Sequence, residues 1–319
     1  MTVNANKPER WEADIVQSVD LYNKWFIIFA PEAYRAERVK AADAIKSALD
    51  ATDNLRSIEP TILRQNPRAL VMLRMATAPP IARDRLIGLA GVSKALVERM
   101  EDEGRVPPRM SSSRLDEQLR KISDTIARLA DKGIFTWLED GHEPSEIETL
   151  RAATVIADRL CGSATNPIIR NAQEQRQLAL IQQWLERRGY SQVRAGTGAT
   201  YQNMPPSSFS FRMNVPGMTS NGNSVNIPVD AVVMPRSSKP GELPLLIEAK
   251  SAGDFTNPNK RRKEEADKVA NLRRRHGKDV RFVLFLCGYF NIQYLRYEAD
   301  ESIDWVWEHR IDDLAELGL

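Results

Sequence analysis

Two stretches, 225–234 and 243–250, constrain this chain most. Each is apolar enough to be a buried strand, yet each carries charge on a single face. In Val225-Asn226-Ile227-Pro228-Val229-Asp230-Ala231-Val232-Val233, alternate residues of a strand point to opposite sides. Val225, Ile227, Val229, Ala231 and Val233 therefore share an apolar face, and Asp230 lies on the other. In Leu245-Leu246-Ile247-Glu248-Ala249-Lys250 the same rule sets Glu248 and Lys250 side by side, with Leu245, Ile247 and Ala249 turned away. The segment between them is turn-like (Pro235-Arg236-Ser237-Ser238-Lys239-Pro240-Gly241), as a hairpin requires. Pairing the two strands brings two carboxylates and one ammonium together at the end of a sheet. Charges inside apolar strands are costly unless paired or metal-bound.

Such a set suits one kind of chemistry. Two carboxylates can hold Mg2+, a hard ion that takes oxygen ligands and keeps several waters. The metal acidifies a bound water and neutralises charge building on a phosphate. A lysine close by can orient that water or stabilise the transition state. An E-x-K triplet on a strand also arises by chance. Here the upstream Asp230, the turn-like gap and the charged helix that follows make the trio more than a triplet.

The surrounding pattern divides the chain in two. The first part, 1–162, reads as helices punctuated by proline. One carries Trp11, Ile15, Val19 and Tyr22 at helical spacing, and Pro31 interrupts or follows it. Asn66-Pro67 opens another, which Pro79-Pro80 ends. A third runs through Leu115, Ile122, Ile126 and Leu129 to stop near Gly133, and Glu143-Pro144 opens a fourth that ends near Cys161-Gly162. From 163 the order becomes helix (Asn166-Pro167 to Arg188), strands over 209–215, 225–234 and 243–250, a charged helix from Asn257-Pro258 to His276, and a continuous apolar strand over 282–287. This predicts an α/β (α+β) core over 163–319 behind an α-helical N-terminal region.

Composition removes other classes. No apolar run reaches the roughly 20 residues of a membrane span, and the N-terminus lacks the apolar segment of a signal peptide. Two distant cysteines, Cys161 and Cys287, argue for a reducing cytoplasmic setting. Three histidines with no close cysteine partner argue against zinc. The net charge of +2 conceals a basic stretch, Lys260 to Arg281, holding ten Lys/Arg against four Asp/Glu. A polyanion is one reading of such a run, a solvated helix face the other.

Pro228-Val229-Asp230 followed by Glu248-Ala249-Lys250 resembles the PD-(D/E)xK nuclease signature, with Val229 intervening between the proline and the aspartate. The helix, three strands, helix, strand order is similar to that superfamily's restriction-endonuclease-like core. More narrowly, residues 79–93 (PPIARDRLIGLAGVS) and 250–257 (KSAGDFTN) resemble the XamI-type type II restriction endonucleases. The resemblance implies that Asp230 and Glu248 bind Mg2+ and that Lys250 acts on the attacking water. It also implies cleavage of double-stranded DNA at a short palindrome by a homodimer, and a cognate methyltransferase that protects host DNA. Such nucleases often place a further acid on the first core helix. Glu174 fits, because it extends the stripe of Leu178, Ile181 and Leu185. Its alternative role is that of a first-turn acid favoured by the helix dipole.

DNA contacts are sought in two places. The helix pair at 84–104 turns at a glycine with Leu86, Val92, Val97 and Met100 around it, in the manner of helix–turn–helix or helix–hairpin–helix units, with Ser93 and Lys94 the best candidates. Two packed helices joined by a glycine turn is an equal reading. The helix at 258 begins with Asn257, Asn259, Lys260, Arg261, Arg262 and Lys263. Basic side chains there oppose the macrodipole unless a phosphate lies near, while the Lys260–Glu264 and Arg261–Glu265 spacings suit plain surface pairs. Two other functions remain open: a repair or junction-resolving nuclease built on the same core, and a DNA-binding protein without catalysis.

Overall fold

A computed structural model describes residues 2–194, 198–239, 241–256 and 258–319, apart from the side chains of Asp43 and of 258–262. The chain divides into two compact units, Met1–Phe29 with Arg170–Leu319, and Ala30–Ile169. The helices are α1 (Trp11–Ala51), α2 (Pro60–Gln65), α3 (Ala69–Met75), α4 (Arg83–Ala90), α5 (Lys94–Glu98), α6 (Ser112–Leu129), α7 (Trp137–Asp140), α8 (Glu146–Arg187), α9 (Pro258–His276) and α10 (Ile292–Asp300). The strands are β1 (Ser191–Gln192), β2 (Ser208–Met218), β3 (Ser224–Met234), β4 (Leu245–Ala252), β5 (Phe282–Gly288) and β6 (Asp304–Trp307). No helix among the described residues is long and apolar enough to cross a membrane.

Two proline expectations are corrected. Pro31 neither ends nor follows the first helix but lies inside the 41-residue α1. The predicted helices on either side of 163 are one 42-residue helix, α8, with Pro167 inside it. A proline in a helix interior loses one hydrogen bond and costs about 3 kcal/mol. The helix continues because apolar side chains on both sides of Pro167 are buried: Ile156 and Cys161 before it, Ile181, Trp184 and Leu185 after it. The expected division at 162/163 therefore falls within α8.

The unit Ala30–Ile169 is helical. Leu115, Leu119, Ile122 and Ile126 recur along α6 at steps of four, three and four, which puts all of them on one face. They are buried with Leu70, Leu73, Leu86, Leu96, Val97, Phe135 and Trp137 in one core. The chain turns between α4 and α5 at Gly91, whose left-handed backbone (φ 61°) ends α4 without steric cost. At the start of α4 Glu101, its side chain 2% exposed, binds Arg74 at 2.6 Å and Arg83 at 2.8 Å.

The other unit is built on a six-stranded sheet ordered β1-β2-β3-β4-β5-β6. β2, β3 and β4 pair antiparallel, and β4, β5 and β6 pair parallel. One face packs with Ile181, Trp184 and Leu185 of α8. The opposite face packs with Val269 and Leu272 of α9, Tyr294 and Leu295 of α10, and Trp11 of α1. β5 alternates strictly between them, Leu284 and Leu286 to the α9 side, Val283 and Phe285 to the α8 side. It ends at Gly288 (φ 102°), where a Cβ would lie 2.1 Å from the Ala252 carbonyl oxygen. Only glycine allows β4 and β5 so close an approach there.

β3 does not keep the single apolar face predicted for it. Ala231 and Val233 belong to the α8 side, but Ile227 and Val229 belong to the α9 side. β2 switches likewise, between Phe209 and Met213. The switch lies at the Arg212–Asp230 level, bracketed by the pairs Phe211–Ala231 and Met213–Val229. Arg212 sits there with φ 53°. A left-handed, non-glycine residue in a strand is strained and reorients its neighbours. The two cysteines, Cys161 in α8 and Cys287 in β5, are buried and unpaired.

Candidate active site

β3 and β4 pair through Ala231–Ile247, Val232–Leu246 and Val233–Leu245. One step further the ladder changes character: the Asp230 carboxylate, not a β3 carbonyl, accepts the Ala249 N–H at 2.8 Å. The side chain thus stitches the strands where their backbones part. Continuing the register brings Asp230 level with Glu248. Lys250 follows two residues on, its Nζ 3.1 Å from Glu248 Oε1. The expected trio of Asp230, Glu248 and Lys250 is assembled in one place.

Burial determines its electrostatics. Removal from water pushes the Asp230 carboxyl up to about 6, and the Glu248 charge adds to this; the Ala249 N–H and Lys250 act the other way. Burial alone would lower the Lys250 ammonium. The carboxylates of Glu248 and Glu265 outweigh it and hold Lys250 above the ordinary lysine value. Glu248 is 4% exposed, and its Oε2 is buried without a hydrogen-bond partner. An open carboxylate oxygen beside a second carboxylate is an all-oxygen donor pair that fits a hard divalent cation. No group of three or more His, Cys, Asp or Glu that could hold a metal ion is found among the described residues.

Glu174 is brought close, but it is already paired. Arg212 Nη2 lies 2.8 Å from Glu174 Oε1, and the Glu174 charge contributes to raising Asp230. The left-handed Arg212 thus bridges the acid of α8 to the level of Asp230. Sequence reading missed Arg212, because positive φ leaves no trace in residue type unless the residue is glycine, asparagine or aspartate.

Sequence reading also missed what α9 contributes to the site. Glu265, weighed as the surface partner of Arg261, is 1% exposed and lies 3.3 Å from Lys250 Nζ. Lys268, one turn on, contacts Glu248 Oε1. Behind them Tyr294 OH donates to Glu265 Oε2 at 2.8 Å, and the fully buried Glu298 lies against the pair. Burial, then the Glu265 charge, pushes Glu298 up to about 8. The Glu265 and Lys268 spacing of three was the available signal, since i and i+3 share a helix face.

The Glu298 shift has a consequence for stability. Its folded value exceeds the unfolded one, so its contribution is complete below the ordinary glutamate value and is lost as pH rises toward about 8. Relative to wild type, Glu298→Gln should gain melting temperature steadily from about pH 5 to about pH 8. A difference that stays flat across a thermal-melt series over that range would exclude the shift.

The remaining candidates are less concentrated. Ser93 donates its N–H to Gln118 Oε1 at 2.9 Å, and the exposed Lys94 sits 3.6 Å from Glu98. Lys263 is exposed on α9. Asn257 lies outside the described residues, as do the side chains of Asn259, Lys260, Arg261 and Arg262.

Residues 53–307 match the family described as XamI restriction endonuclease. Across 316 residues, 99% of this chain and 99% of the relative, the sequence is 50% identical to the type II restriction enzyme SalI of Streptomyces albus G. No solved structure matches the chain.

Proposed function

The chain belongs to the XamI restriction endonuclease family, and from that membership we propose that Asp230, Glu248 and Lys250 form the active site of this type II restriction endonuclease. The observation that carries the assignment is the buried cluster itself. Two carboxylates and an ammonium meet where β3 and β4 part, with one carboxylate oxygen left open.

The reaction is hydrolysis of a phosphodiester bond in double-stranded DNA. Asp230 and Glu248 would hold Mg2+, which when bound supplies an acidified water and a counter-charge to the phosphate. Lys250, kept protonated by its carboxylate neighbours, orients the water and offsets charge on the phosphate oxygens. Asp230 does double duty, since its second task is to hold β4 through Ala249. Arg212 and Glu174 stand at the edge of the cluster. A guanidinium there suits a DNA phosphate, with Glu174 fixing its direction until DNA arrives. Ser93, Lys94 and the basic start of α9, Asn257 to Lys263, are the candidate DNA contacts. A short palindrome is the target that a homodimer would read, each protomer taking one half-site. A cognate methyltransferase would protect host DNA.

Unmethylated plasmid and phage DNA should yield discrete fragments with Mg2+ and none with EDTA, and added Mg2+ should restore cutting. Sequencing the ends then gives the target. Cutting confined to branched or damaged DNA would replace this reading with a junction or repair nuclease. Binding without cutting under any divalent metal would leave a DNA-binding protein.

A further inference from the structure

We infer that Glu265 is a positioning residue for Lys250, bracketing its ammonium from α9 so that it stays in place once Glu248 is engaged elsewhere. The inference rests on the active-site reading above. Lys250 Nζ lies between two carboxylate oxygens, 3.1 Å from Glu248 and 3.3 Å from Glu265. Of these, Glu248 is already shared, because Lys268 contacts the same Oε1. Its other oxygen is the open one assigned to the metal. A carboxylate that binds a cation attracts its lysine partner less. Glu265 Oε1 has no hydrogen-bond partner and meets Lys250 as an ion pair, while its Oε2 is held by Tyr294.

The surroundings of Glu265 hold it to that task. It is 1% exposed, so its charge has no water to fall back on. Its Oε2 is taken by the Tyr294 hydroxyl at 2.8 Å, which leaves Oε1 directed at Lys250. Glu298 packs behind, and burial together with the Glu265 charge pushes its carboxyl up to about 8. Burying two carboxyl groups together is costly unless they are paired or hydrogen-bonded. A role in aiming Lys250 accounts for the presence of Glu265.

One helix turn therefore serves both strand residues, with Glu265 on Lys250 and Lys268 on Glu248. If Glu265 only stabilised the fold, its loss would lower activity in step with melting temperature. If it aims Lys250, its loss lowers turnover while substrate binding stays nearly intact.

The test uses the full chain, Mg2+ and an oligonucleotide duplex bearing the mapped target. Glu265→Gln keeps the shape but loses the charge, and should lower kcat by about 10–100-fold with KM changed by less than about threefold. Glu265→Asp retains the charge and should recover part of the loss. Tyr294→Phe, which deletes one hydroxyl and should fold normally, should lower kcat several-fold with KM unchanged. Wild-type turnover in Glu265→Gln would overturn the inference. So would equal losses in the Gln and Asp variants that track melting temperature. Lys250→Ala runs alongside: if it cuts like wild type, the active-site reading itself fails, whereas an inactive Lys250→Ala beside a fully active Glu265→Gln removes only the role of Glu265.

Discussion

Lys250→Ala should cut DNA about 10²–10³-fold more slowly than wild type under single-turnover conditions. Lys250 is the ammonium that Glu248 and Glu265 both hold, at 3.1 and 3.3 Å. Truncation takes a positive charge from where negative charge develops on the phosphate. It also leaves two buried carboxylates facing each other, and breaking a buried pair in this way costs about 3–5 kcal/mol. Part of any activity loss could then be unfolding. Lys250→Met preserves the apolar stem and so separates lost packing from the lost charge. Both variants should be compared with wild type by thermal melting, and by binding to target DNA with Ca2+ in place of Mg2+. Slow cutting with retained binding and a folded chain is the expected result. Wild-type rates from either variant would exclude Lys250 from the reaction.

Glu101→Ala should destabilise the unit Ala30–Ile169 by about 3–5 kcal/mol. Its carboxylate is 2% exposed and engages Arg74 Nε at 2.6 Å, Arg74 Nη2 at 3.0 Å and Arg83 Nε at 2.8 Å. Arg83 has a second partner in Asp102 and remains partly exposed. Among the described residues Arg74 has no second acidic partner: its side chain is 10% exposed, and beyond Glu101 it donates to the Ile81 carbonyl at 2.7 Å. The alanine variant strands the buried Arg74 guanidinium with the Ile81 carbonyl ahead of α4. Because the chain has two units, a single melting transition is not assured. Amide hydrogen exchange in α3 and α4 reads the local loss directly. Unchanged protection in α3 beside an unchanged melting curve would show that the pair contributes little.

Much of the core was legible in residue type. Strands β2 to β5 and helix α9 fall where alternation and the Asn-Pro step put them, and Asp230, Glu248 and Lys250 meet as their strand positions required. Three features were not legible. The prolines at 31 and 167 read as helix boundaries, because local propensity cannot register the apolar burial on either side that carries α8 through. The face switch at Arg212 depends on a backbone angle that arginine seldom adopts. The α9 contribution was hidden by charge: in a run of basic and acidic residues, Glu265 looks like any solvated side chain, and only the tertiary position of Lys250 distinguishes it. Strand β6 and helix α10, which supply the sheet edge and Tyr294, lie beyond the last element that the sequence pattern predicted, the strand over 282–287.

The buried cysteines have a practical consequence. Thiolates, not thiols, react with maleimides and iodoacetamides. Burial pushes both thiols up, Cys287 far above its ordinary value with the Glu308 charge adding to it, and Cys161 more modestly. Neither side chain is open to a reagent. The native chain thus offers a chemically silent background. A cysteine introduced at an exposed position such as Val39, 69% exposed, would take a fluorophore alone, and the protein's encounters with DNA could be followed one molecule at a time without first removing its own sulfur.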